Sequence, residues 1–147
     1  RFMALLDIGY PGAADEVSIL HAQMGPHPLE TLTPVTTKEA LLEIQNAVRH
    51  VHVEVSVTQY LVEIARQTRN HPQIKLGVSP RGSLMLFRAA QALAFFHGRD
   101  YVTPDDIQRL AEPVLSHRLV LHSKAKYSGV RKQTVIGGIV DGVRVPD

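Results

Sequence analysis

The chain has 147 residues, of which 44% are hydrophobic and 20% are charged, which is enough for one domain with a hydrophobic core. It contains no cysteine, which excludes a disulfide framework and a thiolate metal site and favours a reducing compartment. No apolar run approaches the ~18 residues of a membrane span, no signal-peptide pattern opens the chain, and the net charge of +2 is too small to argue for nucleic acid by itself.

The N-terminal part of the sequence indicates a strand, a helix and a loop. Residues 1–8 form a short apolar run that is closed by a turn signal at residues 9–12, which predicts a buried strand. Residue 1 is not methionine and this strand has no partner in the sequence, so we expect a neighbouring domain upstream in a longer protein. Residues 13–24 carry a helical apolar stripe. The loop after them contains Pro26, Pro28 and Pro34.

Two capping boxes predict the starts of the next two helices. In the first box, the Thr36 hydroxyl and the Glu39 carboxylate would close free backbone N–H groups. Ser56 and Gln59 form the second box, and the helix that follows should extend to about Arg69. The predicted buried stripes are Leu41, Ile44 and Val48 in the first helix, and Val57, Leu61, Ile64 and Ala65 in the second.

Residues 76–83 predict a helix start with an unusual cation in its first turn. Ser79 suits the N-cap, and Pro80 suits the first helical position because its missing N–H would be unpaired there. Arg81 then lies where the positive end of the helix dipole disfavours a cation by a few tenths to ~1 kcal/mol. A guanidinium at a helix N-terminus is typical of a phosphate site, whereas a solvated arginine that extends outward is the commoner structural explanation.

The next segment, residues 84–96, is apolar on nearly every face, which predicts a helix at the centre of the domain. Gly98 should end this helix. Thr103 and Pro104 then open another helix that has two acids in its first turn. After a polar stretch, residues 130–140 predict a last, weaker helix that is broken by two adjacent glycines.

Residues suited to catalysis or metal binding are sparse. The sequence has no P-loop, no acidic cluster for Mg²⁺ and no Ser-His-Asp grouping. The pairs His50/His52 and His117/His122 lack the helical spacing and third ligand of a metal site, so none is predicted. Four basic residues near the C-terminus favour a solvated face over a nucleic-acid surface, and they are Lys124, Lys126, Arg131 and Lys132.

Five short motifs follow one another along nearly the whole chain. They are Arg1-Phe2 with Gly9-Tyr10-Pro11, Gln67-Thr68-Arg69-x-His71-Pro72, Leu76-Gly77-x-Ser79-Pro80-Arg81, Gly98-Arg99-Asp100-Tyr101-Val102-x-Pro104-x-Asp106 and Leu115-x-His117-Arg118. In this order and spacing they resemble the C-terminal part of a MoxR-type AAA+ ATPase. The resemblance is specific because several uncommon motifs coincide. It implies an all-α fold, namely the helical bundle lid that follows the nucleotide-binding α/β core, with a short N-terminal strand left over from that core.

The resemblance also implies a domain organisation and a function. Residues 1–11 would be the last strand of the truncated core with a linker, and residues 12–147 would be the helical lid. The parent protein would hydrolyse ATP with Mg²⁺, whereas this segment, without a P-loop or Walker B acids, would neither bind them tightly nor hydrolyse ATP. The parent is expected to be cytoplasmic and to form a homo-oligomeric ring, expected as a hexamer. It would remodel or mature other proteins in a chaperone-like manner, with a von Willebrand A-type protein as partner.

Individual residues receive roles by the same resemblance. Arg81 matches the second-sensor arginine, which reaches from the lid to the nucleotide phosphates, and Ser79 and Pro80 form the helix start that presents it. Arg1 matches the arginine before the last core strand, the candidate arginine finger offered to the neighbouring subunit's ATP. Gly82 departs from the family pattern, which often has a small residue such as alanine at this position.

Two alternatives to a lid are a helical nucleic-acid-binding module and an independent protein-interaction domain. The first would need a recognition helix rich in exposed basic residues, whereas the helix after Thr103 has a polar face of mixed charge. The second gives no reason for Arg81 in a first helical turn or for an unpaired strand at the front. The lid is therefore the favoured interpretation, and neither a membrane nor a nucleic acid is expected as a partner.

Overall fold

The computed structural model describes residues 2–146, and the contacts within it divide the chain into two units. The larger unit combines the N-terminal residues up to Leu5 with the chain from Gln45 onward, and the smaller unit is Leu6–Ile44. The regular structure is almost entirely helical, which confirms the expected all-α class.

The helices are numbered in chain order. The smaller unit contains α1 (Ala13–Ala22), a 3₁₀ turn (Pro28–Thr31) and the first part of α2 (Lys38–Arg49). The larger unit contains the end of α2, then α3 (Val55–Asn70), β1 (Ile74–Leu76), α4 (Pro80–Phe96), α5 (Pro104–Leu115), a 3₁₀ turn (Ser116–Arg118), β2 (Val120–Leu121), α6 (Ser123–Tyr127) and α7 (Lys132–Gly142).

The hydrophobic core lies in the larger unit, where α4 packs against α3 and α5, and α7 packs against α3 and α5. The expected stripe of α3 is buried as predicted. Each fully buried aliphatic side chain contributes about 1.5–3 kcal/mol through the hydrophobic effect. The largest of them are Leu61, Ile64, Leu86, Ile107, Leu115, Leu119 and Ile136. β1 and β2 form a small antiparallel pair, with Ile74 opposite Leu121 and Leu76 opposite Val120.

Helix α4 is only partly the all-round buried helix that its composition predicts. Leu86, Ala90 and Ala94 on one side are buried, but on the other side Leu84 is about half exposed and Phe96 is largely exposed. A helix buries the faces that its neighbours cover, and composition alone does not show how many neighbours there are.

The expected N-terminal strand is not formed. Within the described part of the chain, residues 2–12 belong to no strand, and the backbone N–H of Leu5 instead donates to the Pro113 carbonyl at 2.8 Å. A strand needs a neighbouring strand to complete its hydrogen bonds, and none lies beside this segment in the larger unit.

Both capping boxes are misplaced in the sequence prediction. At α2, the Thr37 hydroxyl rather than that of Thr36 accepts the N–H of Ala40, at 3.2 Å. Helix α3 begins one residue before Ser56, with Glu54 at the N-cap. At α2, two adjacent threonines can each accept a backbone N–H, which leaves the helix start ambiguous by one position. The apolar stripe of α2 also differs from prediction, because Leu41 and Ile44 are each about half exposed.

The C-terminal elements agree better with the sequence. Gly98 has φ of 70° and follows the end of α4, as predicted for a glycine that stops a helix. Helix α5 begins at Pro104, after an N-cap at Thr103. The last predicted helix is present as α7, but its two glycines, Gly137 and Gly138, do not break it. The polar stretch before it contains the short helix α6.

Candidate functional site

The start of α4 has the backbone geometry that the sequence predicts. Ser79 is the N-cap, with φ of −75° and ψ of 163°, and its carbonyl accepts the N–H groups of Gly82 at 2.8 Å and Ser83 at 3.2 Å. Pro80 is the first helical residue and Arg81 the second. The Ser79 hydroxyl makes no capping hydrogen bond, so it satisfies none of the free backbone N–H groups at this helix start.

Arg81 is exposed and unpaired in this structure. Neither its guanidinium nor its backbone N–H has a hydrogen-bond or ion-pair partner among residues 2–146. The first turn of α4 contains no acidic residue to offset the arginine. The positive end of the helix dipole and the guanidinium therefore both face solvent, an arrangement that favours a bound anion.

The loop before α4 is fastened to the end of α3. The buried Thr68 hydroxyl donates to the Ala65 carbonyl at 2.6 Å and accepts the N–H of Val78 at 2.9 Å. The Arg69 side chain donates from Nε to the Val78 carbonyl at 2.8 Å. At Gly77, a Cβ atom would lie 2.7 Å from the Thr68 carbonyl oxygen, so only glycine allows this approach. Both backbone polar groups of Val78 are thus held from α3, directly before the N-cap.

Arg118 lies on the other side of the α4 start. A Cβ atom at Gly82 would be 3.2 Å from Arg118 Cδ, so the two residues are in close contact. Arg118 Nε donates to the Val114 carbonyl at 2.9 Å in the last turn of α5. Its Nη2 donates to the carbonyl oxygens of Phe2 and Met3, the second at 3.2 Å. One side chain therefore connects α5 and the N-terminal segment through its guanidinium and reaches α4 through its aliphatic part.

The fourth motif of the sequence forms a structural ion pair. Arg99 donates from both terminal nitrogens to the Asp106 carboxylate, at 2.8 and 2.7 Å. Asp106 also accepts from the backbone N–H and hydroxyl of Thr103, which closes a capping box at α5. Burial alone would raise the pKa of Asp106, but the hydrogen bonds from Arg99 and Thr103 outweigh it and hold the pKa below its usual value.

Three of the four predicted site residues lie together in the structure. Ser79, Pro80 and Arg81 lie together at the α4 start, as their adjacency requires, whereas Arg1 lies outside the described residues. Reasoning from the sequence assigned no role to the residues that hold this helix start, although the second, third and fifth motifs contain them. These residues are Thr68, Arg69, Gly77 and Arg118.

Residues 2–146 contain no group of three or more histidine, aspartate or glutamate side chains placed to hold a metal ion. Among the same residues, no helix is both long enough and apolar enough to cross a membrane.

Comparisons with known proteins find a family match and similar proteins. The AAA lid domain family matches residues 66–138. The chain is similar to YeaC of Bacillus subtilis (strain 168), an uncharacterized protein, with 47% identity over 146 residues, which is 99% of this chain and 46% of that protein. It is also similar to chaperone MoxR1 of Mycobacterium tuberculosis, with 32% identity over 155 residues, which is 99% of this chain and 41% of that protein.

A solved structure has the same fold. The crystal structure of a candidate ATPase from Cytophaga hutchinsonii superposes with a TM-score of 0.91 and 28% identity, over 100% of this chain and 47% of that one. This chain spans less than half the length of these relatives. It belongs to the MoxR-type AAA+ ATPases, of which it carries the AAA lid region.

Proposed function

We propose that this chain is the lid that closes over ATP bound by an upstream AAA+ core, and that Arg81 contacts the nucleotide phosphates on closure. ATP and Mg²⁺ would be bound by the core, since the residues described here include no P-loop and no cluster suited to a metal. The observation that carries the proposal is the unpaired, exposed Arg81 in the first turn of a long helix.

The electrostatics of the α4 start support this role. Without an anion, the helix dipole makes the cation at Arg81 slightly unfavourable, and no acidic side chain in the first turn of α4 offsets it. Triphosphate oxygens would satisfy the guanidinium and the free N–H together, through charge-assisted hydrogen bonds. The planar fork of arginine suits such a contact better than an ammonium group does.

The rigidity of the α4 start supports it as well. Val78 is held through both of its backbone polar groups, so the residues that follow it begin from a fixed position. A group presented from a fixed helix start loses little conformational entropy on binding. Ser79 and Pro80 would then serve to direct Arg81 rather than to touch the nucleotide.

The remaining parts of the proposal concern the whole protein. Arg1 would act as an arginine finger on the ATP of a neighbouring subunit, which requires a homo-oligomeric ring, expected as a hexamer. The ring would be a cytoplasmic, chaperone-like machine with a von Willebrand A-type partner. The relative named chaperone MoxR1 supports the chaperone-like part of this proposal.

The experiment that tests the proposal compares ATP turnover of the full-length protein with that of its Arg81→Ala and Arg81→Lys variants. Arg109→Ala is the matched control, because Arg109 is exposed and has no hydrogen bond or ion pair among residues 2–146. Arg81→Ala should lower turnover at limiting ATP, Arg81→Lys should restore it only in part, and the control should resemble the unchanged protein. Unchanged turnover in both Arg81 variants would reject the proposal.

A further inference from the structure

Arg118 is distinguished by the distance in sequence that its contacts span. Its Nη2 group donates to carbonyl oxygens of Phe2 and Met3, residues that precede it by 116 and 115 positions. The Leu5 N–H to Pro113 hydrogen bond, at 2.8 Å, attaches the same segment to the same end of α5. Residues 2–5 thus lie in the larger unit, against the lid helices.

The aliphatic part of the same side chain touches the helix that carries Arg81. Gly82 directly follows Arg81 in α4, and a Cβ atom at Gly82 would lie only 3.2 Å from Arg118 Cδ. The Nε hydrogen bond to Val114, at 2.9 Å, fixes the side chain between these two contacts. A displacement of residues 2–5 would therefore change the position of Arg118 against the first turn of α4.

We propose that Arg118 is a positioning residue that couples the segment following Arg1 to the start of α4. Its guanidinium holds the backbone of Phe2 and Met3, while its stem packs on Gly82, so the two ends move together when the lid closes. This inference rests on the proposed function, because it assumes that Arg81 contacts nucleotide. The coupling would connect the proposed phosphate contact at Arg81 with the segment that carries the candidate arginine finger.

The test uses hydrogen exchange in the full-length protein, with and without a non-hydrolysable ATP analogue. The variants are Arg118→Ala and Arg118→Lys, with Arg109→Ala as the control for loss of one exposed positive charge near α5. In Arg118→Ala, the Leu5 amide, whose N–H donates to Pro113, should exchange about tenfold faster or more, because residues 2–5 lose the charged donor that holds their backbone carbonyls against α5. The protection that the analogue adds to residues 2–5 should disappear, whereas amides around Leu86 should stay protected. Arg118→Lys should restore only part of the protection, because lysine lacks the second donor of the fork.

Three results would overturn the coupling. The first is unchanged exchange of residues 2–5 in Arg118→Ala, and the second is an analogue-induced protection that survives in that variant. The third is an equal loss of protection throughout α4 and α5, which would show that Arg118 only stabilises the fold. Failure of the proposed function gives a different pattern: Arg81→Ala would then turn over ATP normally, while Arg118→Ala would still loosen residues 2–5.

Discussion

Thr68 is a polar residue at the centre of the core, and its hydroxyl is both donor and acceptor there. It donates to Ala65 and accepts from the N–H of Val78, and it is fully buried. The sequence predicts this helix but not the hydroxyl's partners, because Val78 is ten residues away across a turn and a strand. Local spacing shows which face of a helix is apolar, whereas it does not show which buried polar groups meet.

Replacing Thr68 with valine should therefore destabilise the fold, although the valine side chain has nearly the same shape as that of threonine. The Val78 N–H would remain buried without an acceptor, which costs about 1–3 kcal/mol. Urea unfolding of the chain measures this loss, and Thr68→Ser, which keeps the hydroxyl, is the control. A Thr68→Val protein as stable as the unchanged chain would show that water or another group satisfies Val78.

The Arg99–Asp106 pair should give the chain a measurable acid sensitivity. Because the folded pKa of Asp106 is lowered, its contribution to stability is present above its ordinary pKa of about 4 and is lost as the pH falls through the folded value. Asp106→Asn should lower the free energy of unfolding by about 2–3 kcal/mol at pH 7, because Arg99 loses its charged partner. The difference between the variant and the unchanged chain should shrink when unfolding is measured near pH 3. An equal difference at both pH values would contradict the assignment of the lowered pKa to this pair.

At the scale of elements, the sequence predicted where most helices lie along the chain, but it did not always predict which of their faces are buried. The apolar periodicity of α3 predicted its buried face, and the predicted end at about Arg69 lies one residue from the observed end. For α4 the same reasoning predicted burial all round, yet Phe96 is 82% exposed. The β1–β2 pair was not predicted, because three- and two-residue strands carry too little periodicity to be recognised.

Two substitutions in α4 should separate its faces. Leu86→Ala should lower the free energy of unfolding by about 2–5 kcal/mol, because it leaves a cavity in the core. Phe96→Ala should change it by no more than about 0.5 kcal/mol, because the ring is exposed. Thermal or urea unfolding of the two variants measures the contrast. Equal destabilisation would mean that both faces of α4 are covered in solution.

For the whole molecule, the sequence motifs identified the family while the structure supplied the connections among them. The Leu-x-His-Arg motif at residues 115–118 marked the resemblance, but only the fold brings Arg118 to Phe2, 116 residues earlier. The expected strand at residues 2–8 is absent because a strand needs a second strand to complete its backbone hydrogen bonds, and none among residues 2–146 is paired with this segment. Its formation therefore depends, like the contacts of Arg118, on parts of the fold that are distant in sequence. The role of Arg1, outside the described residues, stays a prediction.

The candidate arginine finger can be tested in the assembled parent. Arg1→Ala in the full-length protein should lower ATP hydrolysis by ~10³-fold or more with ATP binding largely unchanged, because a finger stabilises charge that develops in the transition state. Mixing this variant with subunits that carry a disabled P-loop should restore part of the activity, since the intact finger and the intact P-loop would meet at one interface. Normal turnover by the Arg1→Ala protein would remove Arg1 from the site.

The central claim is that Arg81 is kept for the nucleotide and not for the fold. The most direct measurement is the rise in Tm that ATP produces in the full-length protein and in its Arg81→Ala variant. Without ATP, the variant should melt at the same temperature or slightly higher, because an unfavourable cation has left the helix N-terminus. Loss of charge-assisted hydrogen bonds should weaken ATP binding about 10- to 100-fold, so the ATP-induced rise in Tm should be clearly smaller. A variant that melts lower without ATP and yet shows the full ATP-induced rise would mean that Arg81 stabilises the lid itself, which would contradict the account.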